Sequence, residues 1–224
     1  MSSFWRQANQ IARKDLLIEA RAGEVLLVTV PFGAAVLLLL PMAVGTDRPL
    51  LSEIGSGLFW AVVLVFGIMV TMRQSSIDTG PQRDLVALLG IDPAASLAGR
   101  AAATTVLLLA FEAVLGPLTV VLYQPHSVGN WGWLALSGFL FALGLALLGT
   151  LAGSVTAGLG TRHALVPLLV VPLAVPLLLS ATQTTEALRT GRSIVGWTLI
   201  QVVMILVLAI IGVLTARPLE ESLQ

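Results

Sequence analysis

The sequence predicts an all-α polytopic membrane protein: six transmembrane helices preceded by an N-terminal interfacial amphipathic helix, forming one transmembrane domain over residues 1–224. Three observations predict it. Of the 224 residues, 57% are hydrophobic and 11% charged, whereas soluble domains carry roughly one-quarter charged residues. The apolar residues fall into blocks of about 20, the length that crosses about 30 Å of hydrocarbon at about 1.5 Å per residue. The longest polar interruption, Arg73 to Arg100, is too short to bury a core of its own. Twelve basic and twelve acidic side chains leave a formal net charge of zero, so no basic excess is available for nucleic acid. The lack of cysteine excludes disulfides, thiolate metal sites, iron–sulfur ligation and haem attachment through a CxxCH motif.

The first 24 residues read as a cytoplasmic helix closed by Gly23. At 3.6 residues per turn, Phe4, Trp5, Ala8, Ile11 and Ala12 share one side, and Arg6, Arg13, Lys14 and Arg21 gather on the other. That pattern suits a helix lying under lipid headgroups. Asp15 and Glu19 interrupt the apolar side near its end, which points that part of the face at protein.

Six spans follow, read as Val25–Val44, Ile54–Met72, Ala101–Tyr123, Trp131–Thr156, Ala164–Ala181 and Val195–Ala216. The first has full spanning length and no A-x-A pattern after it, so it reads as an anchor and not a removable signal peptide. Lys and Arg near the spans set orientation. Nine lie on the side of the termini, against Arg48, Arg189 and Arg192 on the other, which places both termini and the 73–100 loop in the cytoplasm. Pro31, Pro41, Pro117, Pro167, Pro172 and Pro176 fall within spans and require neighbours that satisfy the freed carbonyls. Gly149, Gly153 and Ala157 recur every fourth residue in span four, a spacing that lets another backbone approach. Trp131 and Trp133, with Tyr123 across the short loop, occupy the place of an outer aromatic belt.

The 73–100 loop is the most informative polar segment. Pro81 before and Gly90 after Gln82 to Leu89 mark a short helix. Leu85, Leu88 and Leu89 share one of its faces, bracketed by Asp78, Arg83 and Asp84, as a plug for a partner's groove would. Asp92 followed by Pro93 opens a second short helix leading back into the membrane.

No GxxxxGK[ST] phosphate loop occurs, so energy from ATP must come from another chain. The two histidines, His126 in the outer third loop and His163 in the inner fourth loop, fall on opposite faces of the bilayer and cannot share a metal. Glu112 is the one acid near the middle of a span. Its cost of about 3 kcal/mol is met by the apolar residues around it, and it is expected inside the bundle, protonated or paired. Ser154 and His163 lack an orienting acid for hydrolase chemistry.

These parts resemble the haem exporter protein B family, CcmB, over nearly the whole chain. The resemblance is carried by LLLLPMAVG at Leu37–Gly45 with GLFWAVVL at Gly57–Leu64, by the acidic, glycine-containing segment Asp78–Leu89, and by PLAVPLLLSA at Pro172–Ala181. Gly80, Leu85 and Leu88 match that family's loop pattern, while Asp78 is displaced by one position and Arg83 stands where a later acid is expected. Glu112 has no counterpart there.

The resemblance implies an ABC-2-exporter-like permease in the bacterial inner membrane, serving cytochrome c maturation. ATP would be bound only by a CcmA-like ATPase docked on Asp78, Gly80, Arg83, Asp84, Leu85, Leu88 and Leu89. CcmC-like and CcmD-like membrane proteins and a periplasmic CcmE-like haem chaperone would complete the system. The resemblance leaves open whether the chain itself carries haem as transient cargo; on residue chemistry alone, His126 with the flat aromatic surfaces of Trp131 and Trp133 nearby is the candidate outer-face haem contact. Two other readings share the six spans: an ABC-type exporter permease for another hydrophobic or anionic cargo, and a non-conducting assembly scaffold.

Overall fold

The computed structural model describes residues 2–23, 25–45, 48–76, 90–124, 130–156 and 162–221. They form α1 (Ser2–Ala22), a π-helical turn (Val25–Thr29), α2 (Val30–Val44), α3 (Arg48–Ser76), α4 (Pro93–Tyr123), α5 (Trp131–Val155), α6 (Arg162–Thr190) and α7 (Val195–Glu221). No strand occurs among the described residues. Helices α3 to α7 are each long and apolar enough to cross a bilayer, so the chain is a multi-pass membrane protein.

The first span is built differently. The 15 residues of α2 rise only about 22 Å, short of the hydrocarbon thickness. The π-helical turn ahead of them extends the helical run back to Val25, yet α2 makes a sixth candidate span only when joined to α1 across a 48° bend, so five of the six expected spans stand as single spanning helices. Pro31, second in α2, lacks the N–H that a continuous run from Val25 would use, so the hydrogen-bond ladder is interrupted where the π-helical turn meets α2.

Helix α5 is the centre of the bundle and packs against α3, α4, α6 and α7. Glycine makes this close approach possible. A methyl group at Gly144 would lie 2.8 Å from Leu177 of α6, and one at Gly149 would collide with Thr71 of α3. The small-residue stripe expected in span four is thus a real contact at Gly149, while Ala157 lies outside the described residues. Phe111, Phe141, Leu145 and Leu177 fill the interior between these helices. The apolar side chains of α7, such as Leu199, Leu206 and Ile210, are exposed, as lipid-facing residues are.

Several span ends differ from the expected ones. Helix α4 runs unbroken from Pro93 to Tyr123, so the second short helix expected after Asp92 is the first part of the span itself. Asp92 does cap it, its side chain accepting the Ala94 N–H at 3.0 Å. Helix α6 continues past Ala181 to Thr190. Its Thr184 and Thr185 hydroxyls donate to the Ser180 and Ala181 carbonyls, which lets hydroxyl residues stay helical and buried. His163 stands in the first turn of α6 rather than in a loop.

Tyr123 also departs from expectation. It is 1% exposed and is not part of an interfacial belt. Its hydroxyl donates to the Leu37 carbonyl of α2 at 2.9 Å. That carbonyl precedes Pro41 by four residues, and proline has no N–H to give it. Tyr123 supplies the missing donor, and Gly55 of α3 makes room for its side chain, since a methyl there would lie 2.6 Å from Tyr123 Cβ. Tyr123→Phe is therefore expected to cost about 1–3 kcal/mol, the penalty of a buried unsatisfied acceptor, measured as thermal unfolding in detergent. In a Pro41→Ala background, where Leu37 regains its own helical donor, the penalty should largely vanish. An equal loss in both backgrounds would show that the hydroxyl does not serve this carbonyl.

Candidate functional site

Two groups of polar residues stand apart from the apolar packing. The first lies at the end of the bundle where α3 finishes and α4 begins, with α1 laid across it. Ala8, Ile11, Ala12, Asp15 and Glu19 are buried and recur with helical spacing on one face of α1. Helix α4 is the main neighbour of α1. A methyl at Gly99 of α4 would lie 2.5 Å from the Ala8 carbonyl and 2.9 Å from Ile11 Cβ, so the two backbones nearly touch there. The face expected to lie on lipid is thus occupied by protein from Ala8 to Glu19, leaving Trp5, 67% exposed, outside the contact.

Glu19 holds the corner of this arrangement. Its Oε2 accepts from Arg73 Nε at 3.0 Å, and its Oε1 accepts the Val25 N–H at 2.6 Å. Its backbone carbonyl accepts the Gly23 N–H at 2.6 Å, closing α1 with Gly23 in the left-handed region at φ +68°. The charges suit the helix ends they meet. Arg73 lies in the last turn of α3, where a cation is favoured, and the Glu19 carboxylate caps the start of the first span, where an anion is favoured. At the other side of the junction, Gln7 Oε1 accepts the Asp92 N–H at 3.3 Å.

The second group lies inside the bundle, toward the opposite end. Trp60 of α3 donates from Nε1 to Thr185 Oγ1 of α6 at 2.9 Å and packs on Phe141 of α5 with ring centroids 5.1 Å apart. Gln201 Nε2 of α7 donates to Ser137 Oγ of α5 at 3.2 Å. Next to Ser137 is Gly138, and a methyl there would lie 2.6 Å from Glu112 Oε2 of α4. The Glu112 carboxylate therefore occupies the space that this glycine leaves free. Its Oε1 is buried and has no hydrogen-bond partner among the described residues. The group offers a hydrogen-bonding and proton-accepting position, and no nucleophile with its base is brought together among the described residues. A cavity of about 500 Å3, lined by Arg48, Ser52, Tyr123 and Gln124 with apolar neighbours, opens at this same end.

The residues singled out in the sequence fare unequally. Asp78, Gly80, Arg83, Asp84, Leu85, Leu88, Leu89 and His126 lie outside the described residues. Trp131 and Trp133 stand in the first turn of α5, 58% and 38% exposed, and Glu112 lies inside the bundle with its Oε1 lacking a hydrogen-bond partner among the described residues. Ser154 donates to the Thr150 carbonyl of its own helix at 2.8 Å. Sequence reasoning missed Trp60, Thr185, Ser137 and Gln201 as cross-helix pairs. It caught half of the Glu19 contact, since an acid on an apolar helix face signals a buried partner, but it could not name Arg73.

The geometry defines a polytopic α-helical membrane protein with a polar junction at one end and polar cross-links within the bundle. The family model described as CcmB protein matches residues 6–220, and the chain belongs to that family. The Heme exporter protein B of Rhodobacter capsulatus is 31% identical over 81% of this chain and 83% of its own length. The Heme exporter protein B of Haemophilus influenzae is 29% identical, covering 80% of each chain. That of Paracoccus denitrificans is 31% identical over 80% of this chain and 81% of its own.

Because Glu112 Oε1 lacks a partner, replacing the side chain removes a desolvation cost and no hydrogen bond from that oxygen. Glu112→Leu is expected to leave thermal stability in detergent unchanged or higher. A loss above about 2 kcal/mol, the size expected for breaking a satisfied buried polar contact, would show that the carboxylate is tied to the bundle after all.

Proposed function

We propose that this chain is the membrane permease subunit of an ABC-type complex in bacterial cytochrome c maturation. In this reading, ATP hydrolysis by a separate subunit drives haem transfer, or release of a haem-loaded chaperone, at the outer face of the inner membrane. The observation that carries it is the family match over residues 6–220, joined by relatives named Heme exporter protein B along most of their length. No phosphate-binding loop occurs in the sequence, which supports placing ATP on a separate, CcmA-like partner. CcmC-like, CcmD-like and CcmE-like proteins complete the proposed assembly.

The distribution of Lys and Arg favours cytoplasmic termini. The junction beneath α1 then faces the ATPase, whose contact is the segment Asp78, Gly80, Arg83, Asp84, Leu85, Leu88 and Leu89. A nucleotide-driven push on that segment is passed through the bundle to the outer face, where His126, Trp131 and Trp133 meet haem or its chaperone. Glu112 is assigned to the pathway of that movement, and full haem-dependent activity in both Glu112→Gln and Glu112→Leu would remove it.

The test of the docking contact is direct. Leu85→Asp or Leu88→Asp should abolish co-purification of the ATPase while the chain still inserts in the membrane. Retained co-purification would mean that the ATPase binds elsewhere.

A further inference from the structure

We infer that Glu19 is a positioning residue that makes α1 a rigid link between the α3–α4 end of the bundle and the first span. This rests on the proposed function above, in which the 77–89 segment receives the push of an ATP-hydrolysing partner. Arg73 lies in the last turn of α3, which ends at Ser76, and Asp92 caps the start of α4, so the two residues mark the helix ends that flank the 77–89 segment in the sequence. Helix α1 holds both of these points, through Glu19 on Arg73 at 3.0 Å and through Gln7 on the Asp92 N–H at 3.3 Å. Between them, Ala8 and Ile11 lie against Gly99 at backbone distance. A displacement of the α3 end relative to α4 therefore meets α1 at two places, set about 18 Å apart along its axis.

What α1 does with that displacement is decided by the second oxygen of the same carboxylate. Glu19 Oε1 holds the Val25 N–H at 2.6 Å, and Val25 is fully buried at the start of the first span. Only Gly23 and Glu24 separate the two helices, and Gly23 is fixed by its N–H to the Glu19 carbonyl. Glu19, 3% exposed, thus joins the ends of α1, the first span and α3 at one point. A joint made only of apolar contact could slide, because such contact is non-directional. One made of a charge-assisted hydrogen bond and a backbone cap keeps its geometry.

The test uses the purified complex of this chain with its ATPase, comparing the wild type with Glu19→Gln, which keeps an oxygen for Val25 and removes the charge facing Arg73. The inference expects the ATPase to co-purify and to hydrolyse ATP as before. Release of the haem-loaded chaperone should fall by about tenfold or more, within the usual range of coupling between sites. Because the chain has no native cysteine, spin labels can be placed at Leu17→Cys on α1 and Met42→Cys in α2, both exposed positions. Their separation should stay fixed with nucleotide in the wild type and become nucleotide-dependent in Glu19→Gln. Should Glu19→Gln fail to fold, Arg73→Gln breaks the same pair from the other side, with Arg73→Lys expected to restore release. Full release together with a label distance that stays fixed in either broken-pair variant would overturn the role of Glu19 and leave the permease reading intact. A wild-type chain that binds no ATPase would overturn the permease reading, and this inference with it.

Discussion

A backbone N–H or C=O placed in hydrocarbon has no water to bond, so every such group in this bundle must find its partner within the protein. That constraint explains why the described residues are helical and why the exceptions are so specific. Pro41 deprives the Leu37 carbonyl of its helical donor, and a tyrosine from α4 reaches across to replace it. The side-chain hydroxyls obey the same rule by folding back. Thr104, Thr105, Thr119, Thr150, Thr184 and Thr185 each donate to a carbonyl four residues earlier in their own helix, so a polar residue becomes compatible with an apolar surrounding. Within the spans Glu112 breaks the rule, with one carboxylate oxygen buried and without a hydrogen-bond partner among the described residues.

With polar demands met inside each helix, association depends on shape. Lipid tails are as apolar as leucine, and helices gain by approaching closely. The glycines of α5 and its neighbours provide that approach, and each faces a particular side chain: Gly138 faces Glu112, Gly144 faces Leu177 and Gly149 faces Thr71. The central position of α5 follows, since a helix with small residues on several faces can be surrounded. At one end of the bundle Arg73 complements the C-terminal dipole of α3, and the Glu19 carboxylate, although in the last turn of α1, meets the start of the next helical run through the Val25 N–H.

The spans were legible in the sequence because about 20 uninterrupted apolar residues have few other uses. Their ends were less so. Thr182, Gln183, Thr184 and Thr185 look like loop residues after the apolar run of α6, yet the helix passes through them, because hydroxyls bonded to their own helix and a partner in Trp60 remove the cost. Tyr123 read as an interfacial aromatic because single-sequence patterning cannot see that the carbonyl it serves was orphaned 86 residues earlier. Gly23 as the stop of α1, Asp92 as the cap of α4 and the Gly149 contact were all readable, since each is a local signal. Of the candidate site, the odd acids Asp15 and Glu19 on an apolar face pointed to protein contact, but the identity of Arg73 as partner depends on how α3 folds back. The segment proposed for docking and His126 lie outside the described residues, so for them the sequence pattern is what speaks.

Taken with the family, these features support the proposal that the bundle passes on movement supplied by an ATP-hydrolysing partner. The measurement that bears most directly on this is reconstitution in lipid vesicles, with the chain alone or together with its ATPase, following nucleotide hydrolysis and release of the haem-loaded chaperone. The chain alone should hydrolyse no ATP and release no chaperone, and both activities should appear when the ATPase is added. Full release by the isolated chain, with no companion present, would contradict the account.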